Sequence, residues 1–215
     1  MLALLLVHAN RPVTYDELVA MLWPTEPPAS ATNILHRYVS SLRRLMEPDL
    51  PPRASGSWLL RQGGAYRLRA DARTLDLLRF RELSDRARGR SGEDPRTALP
   101  LYAAALEPWA GPVAAGLEPL LGALPVFAGI AEEFSSAALE AADAALSVGK
   151  ARAVLAALRT AAERNPWDER IRARLLLLPA AEGKQAEAVS GYRDLRRRLA
   201  EDLGRQPGCR AAHRP

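Results

Sequence analysis

Asn33, His36, Arg37, Ser40, Ser41 and Arg44 recur in the stretch "ASATNILHRYVSSLRRLME" at spacings that put them on one side of a helix. Leu35, Val39, Leu42 and Met46 fall on the other side and would face a core. The polar side is short of acids. Amide, hydroxyl and guanidinium groups in such a row can donate and accept directed hydrogen bonds, and the planar fork of Arg suits phosphates and base edges. A solvated surface helix shows the same pattern, so the neighbouring segments must decide between the two.

Other chemistry finds no foothold. His8, His36 and His213 lie far apart, without the carboxylates or cysteines of a metal site around them. A Gly-x4-Gly-Lys-Ser/Thr phosphate loop and a Ser nucleophile elbow are both missing. The acids of "RDLRRRLAEDLG" sit at helical spacing beside Arg, as on a solvated charged face. The expectation is a protein that is not an enzyme and carries no cofactor or metal.

The totals allow one large domain or two small ones: 215 residues, 48% of them hydrophobic, with a formal net charge of +5. Of the 30 basic residues 28 are Arg, a bias that a GC-rich genome also produces, so charge alone decides little. The single cysteine, Cys209, excludes an internal disulfide framework and fits a reducing cytoplasm. The opening "MLALLLVHANR" lacks the basic n-region of a signal peptide and reads as a helix fragment. The run Leu175 to Leu178 is stopped by Pro179 and is too short to span a bilayer, so no membrane segment is expected.

The elements around the polar row form a pattern. In "ANRPVTYDELVAMLWP", Thr14 and Glu17 have capping-box spacing, which predicts a helix from about Tyr15. Pro24, Pro27 and Pro28 force a turn, after which Ser30 can cap the next helix. Two short helices and a turn leading into a longer one is the outline of a helix-turn-helix. Downstream, Ser57 to Arg61 and Tyr66 to Ala70 read as strands joined around Gly63-Gly64, a pair that permits the positive φ of a tight hairpin. Between Arg37 and Arg73 there are eight Arg against three acids, so this segment alone carries a net +5. A local basic surface of this kind is what phosphate binding requires.

After Asp71 the chain reads as helical almost throughout. Gly149-Lys150 returns as Gly183-Lys184, Val154 as Ala188, Leu158 as Tyr192 and Ala161 as Leu195, each 34 residues on, which is the tetratricopeptide period. Asn165 to Trp167 separates two helices, and "DPRTALPLYAAALEPW" offers an earlier unit in Ala98, Tyr102 and Ala105. Three helical pairs would stack into a short solenoid with a concave groove. Pro100 and Pro179 fall inside helices, where each is expected to kink the axis or end it early.

The first segment, "ANRPVTYDELVAMLWPTEPPASATNILHRYVSSLRRLME" followed by "RQGGAYRLR", resembles the winged helix of the Streptomyces antibiotic regulatory proteins. "TLDLLRFRELSDRA", "ALEPWAGP" and "EGKQAEAVSGYRDLRRRLAEDLGRQPG" resemble the bacterial transcriptional activator domain that follows it in that family. The resemblance implies a mainly α fold: a winged helix-turn-helix with a small β-hairpin wing over residues 1–74, then a tetratricopeptide-like α-solenoid over 75–215. Family members place a small antiparallel sheet ahead of the first helix, and this sequence enters that helix midway, so the winged helix is expected to lack that layer. By matched position the resemblance implies base-edge roles for Asn33, Arg37 and Ser41, and phosphate roles for Arg43, Arg44, Arg61 and Arg67.

Some of these roles have plain alternatives. Arg43 and Arg44 could equally solvate the end of the helix and favour its dipole. His36 is read as a helix-surface residue and Tyr66 as wing or core packing. The resemblance further implies a cytoplasmic, sequence-specific transcription activator of a secondary-metabolite gene cluster. Its partners would be double-stranded DNA at promoter direct repeats, more than one protomer of itself on that DNA, and RNA polymerase. The rival is a helical-repeat scaffold whose winged helix does not bind DNA.

Overall fold

The computed structural model describes residues 1–51, 54, 56–109, 111, 113–117 and 124–203. Pro112, the segment from Gln206 to Gly208, Cys209 and His213 lie outside them. The chain divides into two compact units, Met1–Arg79 with Ala114–Ala128, and Phe80–Val113 with Gly129–Pro215.

In the first unit α1 (Leu2–Val7) is followed by β1 (Val13–Thr14), α2 (Tyr15–Leu22), α3 (Ala31–Met46) and the hairpin β2 (Leu59–Gln62) and β3 (Ala65–Leu68). The capping box at the start of α2 is complete: the Thr14 hydroxyl accepts from the Glu17 amide, and the Glu17 carboxylate accepts from the Thr14 amide at 2.7 Å. These bonds hold the Glu17 carboxyl below the usual carboxylate range. Ser30 does stand at the N-cap of α3, but its side chain makes no cap hydrogen bond and its backbone sits at φ −94°, ψ 15°, outside the extended region that a capping side chain needs. Leu35 and Val39 are buried as the spacing predicts, while Leu42 and Met46, nearer the end of α3, are only half-buried.

The strands are paired closer to the turn than the sequence suggests. Gln62 faces Ala65 across Gly63-Gly64, and Gly63 takes φ +57° at the first turn position, which a residue with a Cβ resists. β1 has no counterpart in the sequence reading. It pairs antiparallel with β3, Val13 to Tyr66 and Thr14 to Ala65, giving a three-stranded sheet in the order β1-β3-β2. Two residues are too few to show an alternating pattern. Asn10, at φ +67°, closes the turn after α1 by donating to the Ala70 carbonyl and accepting from the Ala70 amide. Leu4, Leu5, Val13, Leu18, Leu35 and Leu59 form the centre of this unit's core.

The second unit is built from helices: α4 (Asp76–Ser91), α5 (Pro95–Leu106), α6 (Pro125–Val148), a 3-10 turn (Ala151–Ala153), α7 (Leu155–Arg164), α8 (Glu169–Ala181) and α9 (Gln185–Leu203). The first four residues of α4 and of α6 fall in the other unit. Gly149 and Gly183, 34 residues apart, do the same job. Each has a positive φ, 69° and 79°, and in each case the next residue bonds back five positions, Lys150 to Ala145 and Lys184 to Pro179. This is the Schellman ending of a helix, repeated in register. Ala98, Tyr102, Ala105, Leu158 and Ala161 are all fully buried, as the repeat predicts. Small alanines on facing helices, including Ala137, Ala138, Ala141 and Ala142 of α6, let the backbones approach. Pro179 lies two residues from the end of α8, in keeping with early termination. α5 instead continues six residues past Pro100, which stands one turn in and removes a single backbone donor.

Candidate nucleic-acid interface

α3 has 16 residues and is about 24 Å long. At about 100° per residue, Asn33, Arg37, Ser41 and Arg44 span an arc of roughly 80°, nearly opposite the buried row of Ala31, Leu35 and Val39. All four are exposed. None of their side chains has a hydrogen bond or ion pair with another of the described residues. His36 is half-buried on the flank of this row, edge-on to Tyr15 at 5.6 Å, so it packs more than the sequence suggests.

The other three predicted residues behave differently from one another. Arg43 is half-buried, and its Nε and Nη2 both donate to the Leu59 carbonyl of β2, at 3.0 and 2.8 Å. Two of its five donors are thereby committed to the protein. Arg61 faces Tyr66 across the hairpin, so both lie on the sheet face toward the helices. Arg61 is exposed, with its guanidinium 6.0 Å from the Tyr15 ring. Arg67 follows Tyr66 in β3 and so lies on the opposite face, with its Nε buried and without a partner among the described residues. The structure thus groups Asn33, Arg37, Ser41 and Arg44 on α3, places Arg61 on the wing near the Tyr15 ring, and separates Arg43 and Arg67 from the α3 set.

Tyr66 is core packing. It is buried and stacked on Tyr15 at 5.1 Å, and burial, with the Tyr15 hydroxyl beside it, pushes its pKa up to about 12. The Tyr15 hydroxyl lies near Tyr66 but meets no partner with hydrogen-bond geometry among the described residues. Tyr15 also donates its backbone N–H to the Gly64 carbonyl at 2.9 Å, which ties the tip of the wing to the start of α2.

One contact at this surface was not legible in the sequence. Glu47, at the C-cap of α3, accepts the Ser57 amide on both carboxylate oxygens at 3.0 Å and the Ser57 hydroxyl on one. The Ser57 bonds hold its carboxyl below the usual range. An added Cβ on Gly56 would stand 2.6 Å from Glu47 Oε2, so a side chain there would push the carboxylate out of its present position. Arg43 and Glu47 together clasp β2 to the end of α3. The available signal was electrostatic: an acid at a helix C-terminus is opposed by the helix dipole and needs another reason to be there.

The second unit distributes its charge in another way. Arg81 pairs with Glu133 through two hydrogen bonds of 2.7 and 2.8 Å, Arg88 with Asp85 and Glu140, Arg170 with Asp168 and Glu132, and Arg174 with Asp143. Arg164 lies over Trp109 and Phe134 and donates to the Gly111 carbonyl, and Trp109 stacks on Phe134 at 4.5 Å. Trp109, half-buried, thus packs onto the helical core at Phe134, and Arg164 links Gly111 to the same place. Among the described residues no group of three or more His, Cys, Asp or Glu could hold a metal ion, and no helix is long and apolar enough to cross a membrane.

A winged helix joined to paired helices defines a class of transcriptional regulator. Residues 1–68 match the family "transcriptional regulatory protein, C terminal", and residues 75–213 match the bacterial transcriptional activator domain. The chain belongs to the Streptomyces antibiotic regulatory protein family of transcriptional regulators. It is 32% identical over 212 residues to transcriptional regulatory protein EmbR of Mycobacterium tuberculosis, covering 96% of this chain and 53% of that one. It is 34% identical to regulatory protein AfsR of Streptomyces coelicolor, over 96% of this chain and 20% of AfsR. With transcriptional regulator RedD of the same organism it shares 30% identity, over 97% of this chain and 60% of RedD. A solved structure of Mycobacterium tuberculosis EmbR in complex with a low-affinity phosphopeptide superimposes with a TM-score of 0.78 at 31% identity, covering 98% of this chain and 55% of that one. The chain spans about half the length of its EmbR relatives.

Proposed function

We propose that this regulator binds double-stranded DNA, with α3 in the major groove and the β2–β3 wing on the backbone. Asn33, Arg37 and Ser41 would meet base edges, and Arg44 and Arg61 phosphates. The observation that carries the reading is the row of exposed side chains on α3 without partners among the described residues. A major groove about 12 Å wide admits a helix, and unpaired guanidiniums release counterions on meeting phosphates. Arg43 is better suited to bracing the wing than to a phosphate, because its fork is already turned to Leu59. The position of Arg67 on the far face of the hairpin fits a phosphate contact only if DNA wraps past the wing.

The winged helix is taken as residues 1–74 and the helical domain as 75–215, boundaries that the family matches at 1–68 and 75–213 support. Relatives named as regulators support a role in transcription regulation, and that role would be activation of a secondary-metabolite gene cluster from promoter direct repeats. More than one protomer would bind there, with the helical domain contacting RNA polymerase. The test is fluorescence anisotropy with duplex DNA from the gene's own upstream region. Binding that weakens steeply with salt and prefers this duplex over random sequence is expected. Absence of binding would favour the helical-repeat scaffold.

A further inference from the structure

We propose that Glu47 is a positioning residue for sequence choice: its clasp on Ser57, shared with the Arg43 contact to Leu59, fixes the wing relative to the base-reading row of α3. This rests on the DNA-binding reading above.

Three physical facts carry it. The wing is joined to α3 through residues 47–58, a stretch with three prolines and one glycine that carries no helix or strand among the described residues, so no backbone ladder links the two there. The clasp closes that connection at its two ends: Arg43 reaches the first strand residue, Leu59, and Glu47 holds the amide and hydroxyl of Ser57. Gly56 leaves the space the carboxylate occupies. The arrangement places a negative charge beside the basic surface, where it opposes phosphate binding. Glu47 therefore has an electrostatic cost for affinity and a geometric gain for register, and the two can be told apart because they move different observables. Phosphate contacts by the wing lock the helix in the groove at one depth and angle only while the two are rigidly joined. Once the joint is loose, the same phosphates can be met with α3 displaced, and mismatched sequences lose less.

The experiment begins with an operator duplex enriched from a random-sequence pool by the wild-type chain. Affinity for that duplex and for a random duplex is then measured across a salt series for wild type, Glu47→Gln, Gly56→Ala and Arg43→Lys. Glu47→Gln removes the charge and weakens the clasp. Random-duplex affinity should stay level or rise, and the operator-to-random ratio should fall roughly ten-fold. Gly56→Ala keeps every charge and displaces the carboxylate; the ratio should fall by a similar factor with the salt slope unchanged. Arg43→Lys keeps the charge and loses the two-pronged bond to Leu59, with the same expected outcome.

A merely destabilising change would lower both affinities together, so the ratio is the informative readout, and a thermal unfolding scan on each variant checks the fold. Unchanged ratios in all three variants, or equal losses on both duplexes, would overturn the proposal. A fall in Glu47→Gln alone would also overturn it, because it would trace the effect to charge and leave the joint without a role. A wild-type chain that enriches no sequence would remove the DNA-reading function itself, and this proposal with it.

Discussion

The arginines of the two units are the same side chain in two electrostatic states. In the helical unit Arg81, Arg88, Arg170 and Arg174 each have a carboxylate within 3.2 Å. In the winged helix Arg37, Arg44 and Arg61 have none within 4.0 Å among the described residues. Arg11 of the same unit is paired, with Glu17 at 2.8 Å. Composition cannot separate these states, since both units are rich in Arg. Partners can: a paired guanidinium is already satisfied, whereas an unpaired exposed one adds to a field that attracts a polyanion. Arg81, Arg88, Arg170 and Arg174 organise helices of one unit, while Arg37, Arg44 and Arg61 of the other are available.

Substitutions can break or sharpen that contrast. The largest effect expected is on the helical core: Phe134→Ala, at a fully buried ring stacked on Trp109, should lower stability by about 3–5 kcal/mol in a thermal or urea unfolding experiment. Next comes Arg37→Ala, which should cost about 1–3 kcal/mol on operator DNA and relax preference at one base pair. Equal losses on operator and random duplex would contradict a base contact.

Thr14→Ala should cost about 1 kcal/mol of stability, because it removes the hydroxyl that accepts from the Glu17 amide and donates to the Glu17 carboxylate at the start of α2. Arg61→Ala should weaken all duplexes alike and lower the salt slope by about one. The smallest effect belongs to the paired set. Arg174→Ala, which removes a surface ion pair, should change stability by about 0–1 kcal/mol and leave the salt slope of DNA binding unchanged.

Acid titration gives a further check on the first unit. Glu17 and Glu47 both have folded-state pKa values lowered from 4.5 by hydrogen bonds, chiefly from Thr14 and from Ser57. Groups so depressed contribute stability that is present above 4.5 and is lost as pH falls through their lower folded values. Stability should therefore decline below that pH, and Glu47→Gln should flatten the decline.

How much of this was legible in the sequence follows from the physics of each element. α2 and α3 were readable because a capping box and a 3.6-residue period are local signals. The glycines at 149 and 183 were readable because a helix ending needs a positive φ at the same place in each repeat. β1 was not, since two residues carry no alternation and owe their strand to the backbone of β3. The division of Arg43 and Arg67 from the reading row was hidden as well. It depends on where a guanidinium ends and which face of a hairpin a residue takes, and these are fixed by the tertiary partners Leu59 and Tyr66. Glu47 was visible only as one acid among basic residues, because its partner Ser57 stands ten residues away, at the start of a run read as a strand.

The most direct measurement is a salt-titrated fluorescence anisotropy comparison on one duplex from the gene's upstream region. It uses the full chain, the triple variant Arg37→Ala/Arg44→Ala/Arg61→Ala, and the triple variant Arg81→Ala/Arg88→Ala/Arg174→Ala. With a slope of about −0.9 for each phosphate neutralised, the first variant should lose roughly two units of slope and most of its affinity. The second should keep the wild-type slope. Equal slopes in the two variants, or a larger loss in the second, would contradict the assignment of DNA binding to the unpaired arginines of α3 and the wing.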